Sequence, residues 1–155
     1  VEHEATGQIV GTLRVVSFNP ERPFTSETVF GVSTGRICDE LEVEPQALVH
    51  ASHFGIDTNA LKHLGGDLMR NVAGAMLRHG LQALYYHRFT NIIAETEPRI
   101  DVLYRAFGLN PRPVTPAYVQ DWGIKRRVVV MNAEEALRSR KIASDFSLRK
   151  ELAVV

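Results

Sequence analysis

Alternating apolar and polar positions at the start of the chain predict two strands joined by a tight turn. The strands run from Val1 to His3 and from Gln8 to Phe18, and Gly7 between them favours the turn. A longer apolar run from Gln46 to Ile56 predicts a largely buried strand. Residues 57–59, which follow it, have the polar composition of a loop.

Apolar residues then recur at intervals of three and four, which is the spacing of an amphipathic helix. The helix is predicted to begin near Gly65 and Gly66, and the recurring positions are Leu68, Met69, Val72, Ala73, Met76 and Leu77. Gly80 lies just past these positions and favours a left-handed cap, so we expect the helix to end there. The run from Leu81 to Phe89 is then predicted to be a strand.

Capping residues predict further helices. Thr96 is expected to cap one helix, Pro98 suits its first turn and Gly108 ends it. A short helix is also predicted around Ile37 to Leu41. These assignments place helices both before and after the buried strand.

The end of the chain adds one more strand and one more helix. Arg126 to Met131 is predicted to be a compact strand, and Asn132 with Glu135 is an N-capping pattern for a helix that runs to about Arg149. Strand–helix–strand units imply parallel pairing, whereas the opening hairpin is antiparallel, so the sheet is predicted to be mixed. Without repeats or linkers, residues 1–155 are expected to form a single domain.

Composition and charge disfavour several classes of function. Lys plus Arg number 18 and Asp plus Glu number 18, so no net positive charge attracts the chain to nucleic acid. The single cysteine, Cys38, has no partner for an internal disulfide and is expected to be a small buried apolar residue. No apolar run is long enough for an integral membrane segment and no signal-peptide pattern is present, so a cytoplasmic protein is expected.

The loop before the first long helix has the composition of an anion site. Glycines let the backbone approach a ligand and the first helical turn offers free N–H groups, although the same glycines also suit a plain strand-to-helix turn. Farther along, the segment from Asp101 to Leu109 resembles the GNAT acyltransferase signature, a helix that ends in Leu-Tyr-x-x-x-Gly-Phe. That resemblance implies that the acyl carrier binds at this loop, through Lys62, Leu64, Gly65, Gly66 and Asp67.

The GNAT resemblance also implies a fold. We expect an α/β (α+β) architecture with a mixed, mostly antiparallel sheet, flanked by helices, whose central parallel pair of strands splays apart. The pantetheine arm of the carrier would lie between these strands, predicted here as Gln46 to Ile56 and Leu81 to Phe89.

A narrower resemblance is to the acyl-homoserine-lactone synthases, which make autoinducers. The strand from Val10 to Val16 resembles their Gly-x-x-Arg-Leu-Leu strand, and the segment from His50 to Asp57 resembles their Glu-x-Ser-Arg-Phe-x-Val-Asp strand. The matching positions are Arg14, Ser52, Phe54 and Asp57. His50 stands where that family has its glutamate, and His53 stands where it has its arginine.

These two departures leave the identity of the acceptor amine open. The related long-chain N-acyl amino acid synthases share the fold, use other acceptors and fit the altered strand at least as well. The family's N-terminal motifs are missing from this sequence, so the chain is expected to lack its N-terminal strand and helices.

The resemblance implies an N-acyltransferase without a covalently bound cofactor, which moves a fatty acyl group from acyl carrier protein or coenzyme A to an amino-acid-derived amine. His50, or Glu95 through water, would be the base and Tyr104 the acid that protonates the leaving thiolate. The thioester carbonyl would be polarised by the backbone N–H groups of Phe54, Gly55 and Ile56. The acceptor would be ordered by Arg14, Ser52 and His53.

A metal site is not expected, because His50 and His53 would lie on opposite faces of a strand.

Two alternatives stay open, one for the C-terminal surface and one for the function. The basic C-terminal third is either a solvated surface or a docking surface for an acidic acyl carrier protein. The alternative functions are an acetyl-CoA-dependent GNAT acetyltransferase and a non-catalytic acyl-binding or regulatory domain.

Overall fold

The computed structural model describes residues 2–3, 8–61, 66–116, 118–119 and 123–138. Its strands are β1 (Glu2–His3), β2 (Gln8–Ile9), β3 (Gly11–Ser17), β4 (Leu48–Ile56), β5 (Asn91–Thr96), β6 (Arg112–Pro113), β7 (Tyr118–Val119) and β8 (Lys125–Asn132). Its helices are α1 (Thr25–Thr28), α2 (Thr34–Leu41), α3 (Thr58–Leu61), α4 (Gly66–Tyr86), α5 (Asp101–Ala106) and α6 (Ala133–Arg138). Two 3₁₀ turns, Pro45–Ala47 and Pro98–Ile100, precede β4 and α5.

The main sheet has the strand order β3-β4-β5-β8-β6, and β7 also pairs with β8. β4 and β5 are parallel, whereas the other paired strands of the described residues are antiparallel. The predicted fold class is therefore confirmed: a mixed, mostly antiparallel sheet with a central parallel pair.

Helices cover both faces of this sheet, because the strand residues alternate between two apolar clusters. One face carries Val49, Ala94 and Val129 and packs against α4 and α5. We call it the α4 face. The opposite face carries Leu48, Ile93, Val128 and Val130 and packs against Phe24, Ile37 and Cys38. We call it the α2 face, and Cys38 is buried in it as predicted.

α4 continues to Tyr86, so the predicted strand from Leu81 to Phe89 is wrong. Leu77, Leu81 and Leu84 keep the helical spacing and are buried, which extends the apolar stripe past Gly80. Gly80 does not cap the helix. A Cβ at this position would lie 2.8 Å from Leu13 Cδ2, so the glycine allows close packing of α4 on β3.

The short helix around Ile37 to Leu41 is confirmed as part of α2. Residues 57–59 are not a loop throughout, because α3 begins at Thr58. Thr96 does not cap a helix but ends β5, and its hydroxyl donates to the Glu97 carbonyl oxygen at 3.3 Å.

The predicted cap of α6 is confirmed. The Asn132 side-chain oxygen accepts a hydrogen bond from the Glu135 backbone N–H at 2.8 Å. The predicted extension of this helix to Arg149 lies outside the described residues. None of the helices formed by the described residues combines the length and the apolar composition needed to cross a bilayer.

The Asn132 cap makes a testable contribution to stability. We expect Asn132→Ala to lower the free energy of unfolding by about 1 kcal/mol, because the first turn of α6 loses its side-chain acceptor. The matched variant Asn132→Ser keeps an acceptor oxygen, so its free energy of unfolding should stay within a few tenths of a kcal/mol of the parent value. Urea unfolding measures both, and equal destabilisation by the two variants would contradict a capping role.

Candidate active site

β4 and β5 run side by side and then separate, as the GNAT resemblance implies. Their parallel register ends at the pair formed by Ala51 and Ala94. Beyond it, the rest of β4 pairs with β3 and the rest of β5 pairs with β8. We call the space between the two diverging ends the strand gap. The strand that flanks β4 here is β5 rather than the predicted Leu81–Phe89.

β4 is bulged beside the strand gap. Thr12 pairs with Gly55 and Arg14 pairs with Ser52, so two steps along β3 match three steps along β4. His53 lies within this bulge and has a φ of 52°, in the left-handed region that non-glycine residues rarely adopt. The Thr12 hydroxyl donates to the His53 carbonyl oxygen at 3.3 Å. The bulge bends β4 at the point where it leaves β5.

A cavity of about 320 Å³ lies in the strand gap. We call it the polar cavity. It is lined by both diverging strands and by neighbouring elements, through Thr25, Ala51, Ser52, His53, Phe54, Glu95, Thr96, Glu97, Ile100, Tyr104 and Arg126. The cavity is thus lined by two glutamates, a histidine, a tyrosine and an arginine at the place where the strands separate.

His50 and Glu95 form a buried pair at this site. The His50 Nε2 lies 2.7 Å from Glu95 Oε2, and the two side chains are 5% and 7% exposed. The His50 ring stacks on Phe24 of the α2 face, with ring centroids 5.3 Å apart. Glu95 lines the polar cavity, and His50 is not among the lining residues. The two candidate bases are therefore paired with each other, and of the two it is Glu95 that lines the cavity.

Tyr104 of α5 approaches the strand gap from the α4 face. It is buried, lines the polar cavity and contacts Phe54 edge-on, with ring centroids 6.5 Å apart. Burial raises the pKa of its hydroxyl above 10.0, a hydrogen bond with Thr96 acts in the opposite direction, and the Asp101 carboxylate adds to the rise. The phenol is therefore protonated at neutral pH and can donate a proton or a hydrogen bond.

An apolar pocket of about 40 Å³ lies behind the strand gap, on the α4 face. It shares Ala51, Phe54 and Tyr104 with the polar cavity. Its other walls come from β3, α4, β5 and β8 and include Leu13, Leu81, Leu84, Ile92 and Met131. A hydrocarbon chain that passes Ala51 and Phe54 would leave water for this pocket.

The predicted acceptor residues are only partly brought together. Ser52 and His53 line the polar cavity, and Ser52 Oγ lies 3.1 Å from His53 Nδ1. Arg14 is exposed on β3 opposite Ser52 and is not among the residues that line the cavity. Arg126 of β8 lines it instead, and the sequence reasoning did not identify Arg126 as a site residue.

The predicted carrier site can be placed only in part. Phe54, Gly55 and Ile56 follow the point of divergence on β4. α4 begins at Gly66, and Asp67 follows in its first turn. The remaining carrier residues of the sequence prediction, Lys62, Leu64 and Gly65, lie outside the described residues.

Sequence reasoning missed three further residues of the site: Phe24, Thr96 and Arg126. Phe24 follows Pro20 and Pro23 in the sequence and stacks on His50, and Thr96 hydrogen-bonds with Tyr104. The sequence predicted Thr96 as a helix cap. Its contact with Tyr104 follows instead from its position at the end of β5, a buried strand. In the described parts of the chain, no group of three or more potential ligands could hold a metal ion.

The raised pKa of Tyr104 predicts a loss of stability at alkaline pH. Above about pH 10 the unfolded chain releases this proton and the folded chain keeps it, so the free energy of unfolding falls as the pH rises. We expect Tyr104→Phe to lose less stability than the parent between about pH 9 and about pH 11. Urea unfolding at both pH values measures this slope. Tyr85→Phe, at an exposed tyrosine, is the control, and equal slopes for all three proteins would contradict the prediction.

Comparisons with solved structures identify the fold. No protein-family model and no curated protein matches the sequence. MesI, a CoA-dependent acyl-homoserine lactone synthase, matches with a TM-score of 0.64 and 20% identity, over 92% of this chain and 66% of its own. The AHL synthase LasI matches with a TM-score of 0.60 and 15% identity, over 83% and 60% of the two chains.

A third match comes from a different kind of synthase. FeeM, an N-acyl amino acid synthase from uncultured soil microbes, matches with a TM-score of 0.59 and 11% identity, over 84% of this chain and 65% of its own. The chain thus spans between 60% and 66% of the length of these three proteins. Its fold is the GNAT-like fold of acyl-homoserine lactone synthases and N-acyl amino acid synthases, as the sequence motifs predict.

Proposed function

We propose that this chain is an N-acyltransferase that moves an acyl group from a thioester to the amine of an amino-acid-derived acceptor. The strand gap is the observation that carries the proposal. Two neighbouring strands separate after Ala51 and Ala94, beside a bulge that bends β4. Diverging strands leave backbone groups free to pair with an extended pantetheine arm.

The two sides of the strand gap suit the two substrates. The apolar pocket on the α4 face suits the hydrocarbon chain of the acyl group, whereas the polar cavity suits a charged acceptor. Acetyl transfer would not need such an apolar pocket. The pocket therefore favours an acyl group longer than acetyl over an acetyl-CoA-dependent acetyltransferase.

The chemistry needs a base on the acceptor side and an acid at the sulfur. The acceptor nitrogen attacks the thioester carbonyl carbon, and a C–N bond replaces the C–S bond. The His50–Glu95 pair takes the proton that the nitrogen loses. Tyr104 gives its hydroxyl proton to the departing sulfur and recovers one from solvent. Backbone N–H groups from Phe54 to Ile56 polarise the carbonyl oxygen during attack.

The thioester donor is coenzyme A or acyl carrier protein. The CoA dependence of MesI favours coenzyme A, because MesI has the same fold. A carrier protein would instead dock on the basic C-terminal third, of which the residues after 138 lie outside the described part of the chain. Competition between acyl-coenzyme A and acyl-acyl carrier protein for the transfer reaction distinguishes these two donors.

The direct test incubates the purified chain with acetyl-, butanoyl- and octanoyl-CoA, or with the acyl carrier protein esters, and with S-adenosylmethionine or single amino acids. We expect a new N-acyl product by mass spectrometry and equimolar release of thiol. A thermal-shift screen with the same donors should show stabilisation of the folded chain. Transfer from acetyl-CoA alone would favour the acetyltransferase, and stabilisation without product would favour a non-catalytic acyl-binding domain. The absence of both product and stabilisation would refute the proposal.

A further inference from the structure

We propose that Glu95, and not His50, is the group that contacts the acceptor amine, and that His50 positions it. This inference rests on the proposed function and assigns the base within it. It departs from the residue that sequence alignment indicates, because His50 occupies the aligned position of the family's glutamate. The carboxylate is instead supplied by the neighbouring strand β5.

The two oxygens of the Glu95 carboxylate have different surroundings. Oε2 lies 2.7 Å from His50 Nε2, whereas Oε1 is buried and has no hydrogen-bond partner among the described residues. A buried carboxylate oxygen without a donor is costly, so Oε1 is suited to accept a hydrogen bond from a ligand. Glu95 lines the polar cavity, so an ammonium or amine nitrogen in that cavity can supply the donor.

His50 is held away from the acceptor. Its ring stacks on Phe24, its Nε2 faces Glu95, and it is not among the residues that line the polar cavity. With a proton on Nε2, the imidazole donates to Oε2 and fixes the carboxylate in one rotamer. Oε1 is then left free to accept the proton that the attacking nitrogen loses. The Glu95 carboxyl group holds this proton until product leaves.

The assignment is tested by comparing one variant of each residue. Glu95→Gln keeps the shape and loses the proton acceptor, so kcat should fall about a hundredfold or more while the KM of the octanoyl-CoA donor stays unchanged. His50→Gln places an amide nitrogen near the original Nε2 and still donates to Glu95, so kcat should fall less than about tenfold. His50→Leu removes that donor, and its kcat should approach that of Glu95→Gln.

Two controls separate the base from a structural role. Glu40→Gln changes an exposed carboxylate of α2, paired with Arg36, and should leave kcat and KM unchanged. Methoxyamine is neutral at the assay pH and needs no base before attack, so Glu95→Gln should lose much less activity with methoxyamine than with an amino acid acceptor. If Glu95 has only a structural role, Glu95→Gln should lose the same share of activity with both acceptors. If Glu95→Gln fails to fold, Glu95→Asp keeps the charge, shortens the reach, and should lower kcat with unchanged donor KM.

The outcomes distinguish this inference from the proposed function. If the parent transfers acyl groups and Glu95→Gln retains its kcat, or if His50→Gln is as slow as Glu95→Gln, the assignment to Glu95 is overturned and the transferase stands. If the parent transfers no acyl group from any donor, the proposed function fails and this inference fails with it. The expected pattern, a slow Glu95→Gln beside an active His50→Gln, supports both.

Discussion

Tyr104→Phe should lower kcat for acyl transfer about a hundredfold, which is the usual contribution of a positioned general acid. The substitution leaves the ring on Phe54 and removes only the hydroxyl. Burial raises the pKa of that hydroxyl, so the proton is present throughout the neutral range and is available to a sulfur that leaves as a thiolate. Binding of the donor should change little, because the apolar wall that Tyr104 contributes is kept.

The leaving group shows whether the hydroxyl acts as an acid. A thiophenyl ester of the same acyl group releases a much weaker base than coenzyme A and needs little protonation. The parent and Tyr104→Phe should therefore react with it at similar rates. Tyr85→Phe, at the exposed end of α4, is the control for loss of a tyrosine hydroxyl. If Tyr104→Phe lowers the rate equally with both kinds of ester, Tyr104 contributes to packing or to binding and is not an acid.

Much of the fold could be predicted because its signals are local. The alternation of β3, the long apolar run of β4 and the cap at Asn132 each depend on neighbours in the sequence. The end of α4 could not be predicted in the same way. Gly80 looks like a cap in sequence, and only its close packing against Leu13 of a distant strand explains a glycine inside the helix.

The site was predictable to a smaller extent for a related reason. Motif alignment identified His50 and Tyr104, and it predicted that two strands separate near Phe54. It could not show that His50 faces Glu95, because the two residues are 45 positions apart and meet only through the parallel register of β4 and β5. Arg126 enters the cavity through a third strand, so no local pattern indicated it.

The arrangement of the two faces connects these findings. His50, Ile93 and Glu95 follow the alternation that points to the α2 face, whereas Ala51, Ala94 and Tyr104 belong to the α4 face. A continuous sheet would keep these two sets of side chains apart. The strand gap opens the sheet where they are closest, so under the proposed function an acceptor on one face would meet an acyl group held on the other.

Ala51→Leu tests this connection, because Ala51 lies at the end of the parallel register and lines both the polar cavity and the apolar pocket. A leucine side chain there would occupy much of the pocket of about 40 Å³. Excluding about three methylenes of an acyl chain, at about 0.8 kcal/mol each, should lower kcat/KM for octanoyl-CoA about fiftyfold. Acetyl-CoA, which does not reach the pocket, should lose much less.

The ratio of the two kcat/KM values is the decisive measurement, because it is insensitive to a general loss of folded protein. Overpacking at Ala51 is expected to cost about 1–3 kcal/mol of stability, so assays belong well below the unfolding temperature. Ala83→Leu, on the exposed side of α4, makes the same change outside the site and should leave the ratio at its parent value. If Ala51→Leu also leaves the ratio unchanged, the acyl chain does not pass through the strand gap, and the apolar pocket behind it has another role.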